Sequence, residues 1–519
     1  MLLSLLLPAA LAAPPPESAW ADGVLPRPDP PTSGFTFVGL VQTRAVDTSI
    51  VTTNPFLDGQ VVGTLGGLNG STVIPPEGLD LDGDGETDEK SGYSHYVEQR
   101  VNGFFTYAPP VWEGKAALNA AFEIDFLWGD QAYGVAGNTG GGFGGDQVNL
   151  QTRRLNATFK AKPGPRHSLT VVSGLQFVAD GVNDPAKSRL DDLLRMGGGL
   201  RFFGSEAAGL SVYGKVKDAS GERLRYRLGA YDLVEKGVGV RDDIALLMGD
   251  LDWVPAYGLH VGGHGWVVRD RSGGSGGFFG YGPTSTLSGL QGGPMLDLRT
   301  DGEGLAPEVD ADLTWLAADL GYNQGLDKGP LGASVVAVGN VGKLYVKELV
   351  DVPVAGWLVD AEARLRWRSG MGSILRVEAL KSSRDGTDPA TYQGVITGNA
   401  YGIAGATWGS HGALILFPDT GAINRSTPVV ADVSGGGAGL TAVDASGGVD
   451  IIPHKLVADL GVSHARDGFG EAIGTEVHGR LKYQPLYLLN VTVAGATVSG
   501  TDLPDDPWML LAGFDWVVF

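Results

Sequence analysis

The chain has no cysteine among its 519 residues. That excludes a disulfide scaffold and thiolate metal sites, and it suits a protein that crosses the oxidising periplasm. An excess of positive charge is also missing. The formal charge is −21, which argues against a general nucleic-acid binder. Past the N-terminus no apolar run reaches the about 20 residues that a membrane-spanning helix needs. No convincing long amphipathic helix is present either. No G-x-S-x-G, H-E-x-x-H or glycine-rich phosphate loop stands in a fitting context, and nothing selects His95, His167, His411 or His478 for catalysis. An enzyme is therefore not expected. Mean hydropathy is near zero, a value that suggests a soluble protein. Barrel strands escape such a measure because half of each strand is polar.

What the chain does have is glycine, 82 residues of it, and a pattern of period two. Along residues 357–368, Trp357, Val359, Ala361, Ala363, Leu365 and Trp367 alternate with Leu358, Asp360, Glu362, Arg364, Arg366 and Arg368. One face is apolar and the other charged, as in a strand. The pattern recurs in residues 96–107, 116–128, 154–160, 223–230 and 476–483. A soluble sandwich would turn the polar faces to water. A membrane barrel turns them to its lumen and the apolar faces to lipid. Connection lengths favour the barrel. Long Gly/Asp-rich loops (46–92, 129–147, 270–309, 385–438) contrast with short turns (109–114, 162–166, 255–258, 369–372, 452–454). Long outer loops and short periplasmic turns are a barrel trait.

The alternation breaks near 204–222. Taking 194–217 as one irregular crossing and 401–417 as part of an outer loop restores it. The expectation is an all-β, transmembrane antiparallel β-barrel of about 18 strands, within a range of about 16–20, with both termini in the periplasm. At the N-terminus, Leu2–Leu7 and Pro8–Ala13 form a short apolar core, with cleavage after Ala12, Ala13 or Ala21. No Lys or Arg precedes Arg27, so the usual basic segment is missing, and an apolar unstructured tail is the alternative. The organisation expected is a signal peptide over 1–21, a Pro-rich periplasmic lead-in over 22–33 and the barrel over 34–519.

Residues 474–483 (Gly-Thr-Glu-Val-His-Gly-Arg-Leu-Lys-Tyr) resemble a late strand of the alginate-export porins. Residues 197–233, with Gly-Gly-Leu-Arg-Phe-Phe-Gly and Arg-Tyr-Arg-Leu-Gly-Ala-Tyr, resemble a hairpin of the phosphate-selective porins, as do residues 250–270. The chain ends on Phe519, preceded by Phe514, Trp516, Val517 and Val518, although Asp515 shares the terminal residue's face. That ending is similar to the C-terminal signature of outer-membrane barrels, which the assembly machinery reads. The resemblance implies a pore of 16 or 18 strands in the bacterial outer membrane, among lipid and lipopolysaccharide. It transfers no selectivity residue and no oligomeric state.

The basic residues on polar faces are Arg154, Lys160, Arg223, Arg225, Arg227, Arg364, Arg366, Arg368, Arg376, Arg480 and Lys482. Most fall near the periplasmic ends of their strands. Glu98, Glu123, Asp125, Asp360 and Glu362 fall nearer the middle or outer ends. Two readings stay open. Arginine forks can hand a carboxylate or phosphate along a pore, which predicts passage of a small anionic solute or polysaccharide. Alternatively, the arginines and acids pair as a structural lattice in a non-conducting or adhesin barrel. A barrel enzyme would need a Ser/His pair at the rim. Separately, Asp80, Asp82, Asp84 and Asp88 fall at positions 1, 3, 5 and 9 of an EF-hand-like loop, with Gly85 at the turn and Glu86 beside it. That predicts calcium on an extracellular loop, of modest affinity because Ser91 stands where the bidentate Glu belongs. His260 and His264, four apart along a strand, lie about 13 Å apart, too far for one metal. The stretch 411–427 is expected either to constrict the pore or to cap it.

Overall fold

In the computed structural model the described residues are 34–49, 94–128, 147–182, 199–201, 203–218, 221–234, 243–256, 258–271, 309–346, 351–368, 372–386, 391–396, 398–399, 407–409, 412–417, 422, 430, 433–434, 437–453, 455–486, 488–500 and 506–518. The expected signal peptide and lead-in, the Asp80–Asp88 loop and Phe519 lie outside them.

The barrel strands are β1 (Gly34–Thr48), β2 (Ser94–Ala108), β3 (Ala116–Trp128), β4 (Gln147–Gly164), β5 (His167–Ala179), β6 (Phe203–Asp218), β7 (Gly221–Val234), β8 (Ile244–Ala256) and β9 (Leu259–Asp270). They continue as β10 (Val309–Tyr322), β11 (Leu331–Val346), β12 (Val352–Arg366), β13 (Ile374–Ser382), β14 (Leu440–Ile452), β15 (Leu456–Asp467), β16 (Ala472–Leu486), β17 (Leu489–Ser499) and β18 (Trp508–Val518). Each pairs antiparallel with its sequence neighbours, and β18 returns to β1, where Val41 faces Trp516. The sheet therefore has no open edge, which is what a lipid-embedded strand requires.

These strands coincide with the expected crossings. The one difference of substance is at 194–217. The crossing begins only at Phe203, while Gly199–Arg201 leaves the wall to pair with Thr407–Gly409. The turns 165–166, 219–220, 257–258, 453–455 and 487–488 lie at the end that also holds both ends of the barrel chain. The opposite end carries the connections 49–93, 129–146, 271–308 and 383–439, although two there are short, 347–351 and 468–471.

Alternation decides which side chains face lipid. Along β12 every second residue from Val354 to Glu362 is buried while its neighbours are exposed. The charges of this run, Asp360 and Glu362, are both in the buried set and the exposed set is apolar, the inverse of a soluble protein. Leu316 on β10, 62 % exposed, and Leu460 on β15, 67 % exposed, show the same inversion. At the short-turn end the exposed set turns aromatic, with Phe35, Tyr107, Trp253, Tyr322, Tyr483 and Trp516. Such a belt marks a membrane interface. One glycine there is required by packing. Tyr226 lies flat over Gly214 of the neighbouring strand, where a Cβ would meet the ring at 1.9 Å. The Tyr226 hydroxyl is 2.9 Å from His167 Nε2. No described helix is long and apolar enough to cross a membrane; the chain crosses by strands.

Candidate functional site: a plugged lumen with stacked charge tiers

The lumen has two halves of different chemistry. Toward the long loops its wall is apolar, with Leu246, Trp266, Leu313, Trp315, Val338 and Leu358 all buried. What buries them is the chain between β13 and β14. Tyr392, Val395, Ile396, Trp408, Ala413–Phe417, Val430 and Val433 join the same apolar cluster. Residues 412–417, within the stretch expected to constrict or cap the pore, therefore lie inside it. Two loops cooperate, since Trp408 pairs in register with Leu200 from the β5–β6 connection.

Polar anchors on the wall hold this plug. Glu476 of β16, 0 % exposed, accepts backbone N–H groups from Leu414 at 2.7 Å, Ile415 at 3.1 Å and Leu416 at 2.5 Å. Trp408 donates its indole N–H to Glu378 Oε1 at 2.9 Å, and Trp315 donates to the Ile396 carbonyl at 2.8 Å. Ser382 donates to the Val433 carbonyl at 2.6 Å. Trp408 and Phe417 meet edge to face with centroids 4.7 Å apart. A carboxylate receiving three convergent N–H groups is the strongest kind of backbone anchor, because each bond is charge-assisted.

Below the plug lies an acidic row. Strand register sets Glu362 opposite Glu378, Glu378 opposite Asp444, Asp444 opposite Ser463, and Ser463 opposite Glu476. Two residues further toward the short turns, about 6.6 Å along a strand, Arg364 faces Arg376 and Arg376 faces Ser446. Arg480 lies lower still, opposite Asp459. Arg364 pairs with Glu362, and Arg480 Nε reaches Asp459 at 3.3 Å. Arg376 lies within electrostatic reach of Arg364, Glu362, Asp459 and Arg480, but its Nε has no hydrogen-bond partner among the described residues.

The remaining basic candidates are dispersed. Arg154 and Lys160 belong to β4, and Arg223, Arg225 and Arg227 to β7. Arg227 pairs with Asp250 and donates to the Ala179 carbonyl at 2.7 Å. Arg223 pairs with Asp218 at 2.7 Å. Arg366 is spent on turn carbonyls, those of Leu326 at 2.8 Å and Gly325 at 3.5 Å. Arg368 falls beyond β12, which ends at Arg366, and is exposed in the turn. It therefore lies off the strand on which alternation along 357–368 placed it. Lys482 is exposed near the short-turn mouth.

The same wall holds a second lattice, whose acids Glu123 and Asp125 the sequence marks but whose arginines, Arg100 and Arg153, it does not select. Arg100, 1 % exposed, holds Asp125 with both Nε and Nη2, at 2.8 and 3.1 Å, and lies 3.5 Å from Glu123. Arg153 bridges Glu123 and Glu206. A register shift between β3 and β4 at Ala121/Phe122 is what lets Arg153 join. The extra residue breaks period two locally, which is why alternation selected Arg154 and passed over Arg153. On β8–β10 the contacts run Asp252, His260, Asp319, His264, Asp250, at 3.2, 3.0, 2.6 and 2.9 Å. Asp319 sits between the two histidines, which cross-link the wall. Among the described residues no group of three or more His, Cys, Asp or Glu is placed to hold a metal ion.

The lumen is thus mixed in sign, with acid above and base below, and is not lined by arginine throughout. No protein-family profile matches the chain, and no curated protein does. Among solved structures, it is similar to the Acinetobacter baumannii protein OccAB4, at 10% identity over 95% of this chain and 99% of the other, with a TM-score of 0.45. It is similar to Pseudomonas aeruginosa OccK8 (OprE), at 9% identity over 93% and 98% of the two chains, with a TM-score of 0.46. The outer membrane channel DcaP of Acinetobacter baumannii gives 13% identity over 93% and 97%, with a TM-score of 0.39. None of the three is described as an alginate-export or phosphate-selective porin. The closed pairing around the barrel, and not these overlaps, carries the fold.

Proposed function

We propose that this chain is an outer-membrane channel for small hydrophilic solutes, with anions preferred at its periplasmic mouth. The observation that carries the reading is a closed barrel whose exterior is apolar and whose interior is charged. A barrel of about 18 strands is wide enough to leave an aqueous passage. The anion preference is supported by Arg364, Arg376 and Arg480 grouped on β12, β13 and β16 below the plug. There Glu362 and Asp459 pair with Arg364 and Arg480, and the Arg376 Nε has no hydrogen-bond partner among the described residues.

The plug makes conduction conditional. Passage through the outer half requires that Trp408 and residues 412–417 move or that solute pass beside them. A second reading, a sealed structural barrel, is favoured by the same plug. Purified full-length protein in a planar bilayer under a salt gradient separates the two. Discrete conductance steps with a reversal potential set by the anion support the channel. Conductance with cation preference removes the arginine mechanism, and no conductance under any voltage favours the sealed barrel. Calcium at Asp80, Asp82, Asp84, Glu86 and Asp88 remains part of the proposal, as an ion on an outer loop.

A further inference from the structure

Charge on the lipid-facing wall is rare, and at one place it is basic and unmatched. In register, Lys381 of β13 faces Thr441 of β14, and Thr441 faces Arg466 of β15. Both cations are exposed. Two strand spacings separate them, about 9.6 Å. The row lies at the end of β13 and the start of β14, on the side of the long loops. Toward the membrane centre the same outward faces carry Val377, Val443 and Val462, all exposed. The apolar band therefore stops where the cation pair begins, at the depth of lipid head groups.

A comparison row on the same exterior behaves differently. Arg269, Asp312 and Lys343 face one another across β9–β11. That row brings its own acid, and Arg271 grips both Asp312 oxygens at 2.8 Å. Lys381 and Arg466 have no carboxylate partner among the described residues. The Arg466 Nε instead donates to His464 Nε2 at 3.0 Å, and His464 Nδ1 lies 2.9 Å from Thr475 Oγ1. That bond engages Arg466 through Nε and does not use its two terminal nitrogens.

We propose that Lys381, Thr441 and Arg466 bind the phosphate head group of an outer-leaflet lipid whose acyl chains lie along the valines below. The Arg fork and the Lys point charge reach the phosphate from two sides, and the Thr441 hydroxyl donates from between them. The proposal rests on the barrel spanning a membrane and is indifferent to whether the lumen conducts.

The test is native mass spectrometry of full-length protein in detergent, titrated with a phosphorylated acylated glycolipid, its enzymatically dephosphorylated form, or inorganic phosphate. The phosphorylated lipid should bind the wild type tightest. A surface cation is worth about fivefold in binding, so Lys381→Gln and Arg466→Gln should each weaken it about fivefold, and the double variant about thirtyfold. Arg269→Gln/Lys343→Gln should change binding less than twofold. Heat-modifiable migration of the double variant should match the wild type, showing an intact barrel. Equal binding of the two lipid forms, unchanged binding in the double variant, or displacement of the lipid by equimolar inorganic phosphate would overturn the proposal. None of these outcomes depends on conductance, so the channel reading stands or falls separately.

Discussion

Glu476 gives the sharpest test of the plug. Its carboxylate accepts three backbone N–H groups from Leu414, Ile415 and Leu416 in a fully buried setting. Hydrogen bonds to a charged acceptor are worth about 1.5–3 kcal/mol each, against about 0.5–1.5 for neutral ones. Replacing Glu476 with Gln preserves the shape but leaves one acceptor oxygen, so one N–H faces an amide NH2 and the other two bonds weaken. The gross loss is about 3–5 kcal/mol. Part is recovered, because seating the plug no longer strips water from a charge. A net shift of about 2 kcal/mol is expected, about thirtyfold in the seated-to-unseated ratio. The chain has no cysteine, so Ile415→Cys, at a fully buried site, is a unique reporter. A membrane-impermeant maleimide should label it about thirtyfold faster when Glu476 is also Gln, and open probability in bilayers should rise in parallel. Equal labelling rates in the two backgrounds would refute the latch. Val477→Ala, on the lipid side of the same strand, is the control and should change neither quantity.

Other expectations follow from the wall. Arg100→Met leaves Asp125 buried without its cation and Glu123 with Arg153 alone, and should cost about 3–5 kcal/mol, read as a lower urea midpoint in micelles; an unchanged midpoint would make that lattice dispensable. Leu316→Arg puts a cation into the apolar band and should cost up to about 4 kcal/mol in the same assay. A loss comparable to that of Leu316→Ala would mean that position is not in hydrocarbon. Replacing Arg364, Arg376 and Arg480 together with Gln should leave the barrel folded and move the reversal potential toward that of a non-selective pore; an unchanged reversal potential removes them from selectivity. Asp82→Asn/Asp84→Asn should abolish calcium-displaceable terbium luminescence from the outer loop, and retained signal would place the ion elsewhere.

The barrel was legible because period two is a local property. Each crossing can be read from its own dozen residues, and the turns at 165–166, 257–258 and 453–455 follow from where alternation stops. The plug was legible only as a question. Trp408 and Leu414–Phe417 sit in a stretch with no period, and their burial depends on Glu378 and Glu476, some thirty and sixty residues away respectively. No local pattern encodes that docking. Arg153 was hidden for a different reason, since one bulge moves a side chain to the other face without changing the composition of the strand. Arg368 shows the opposite error, alternation carried past the point where the backbone leaves the sheet.

The two sequence readings of the charged faces, a lattice or a conducting ladder, need not exclude each other, and Arg376 is where they separate. A lattice asks every arginine to be matched. Arg100, Arg153, Arg227, Arg364 and Arg480 all are, by Asp125, Glu123, Asp250, Glu362 and Asp459. Those pairs fix the wall, and breaking one strands a charge in a dry place. Arg376 lies among Arg364, Arg480 and the acids that those two already hold. Like charges directly opposite on neighbouring strands destabilise a sheet, so Arg376 opposite Arg364 needs a compensation, and among the described residues the acids in reach, Glu362 and Asp459, are shared with Arg364 and Arg480. In the proposed channel a solute anion would supply it. Arg376→Gln alone should therefore stabilise the empty barrel by about 0.2–1 kcal/mol while lowering anion preference. Arg364→Gln should destabilise it, because Glu362 is then buried without its partner. Loss of stability in both variants would make Arg376 one more member of the lattice.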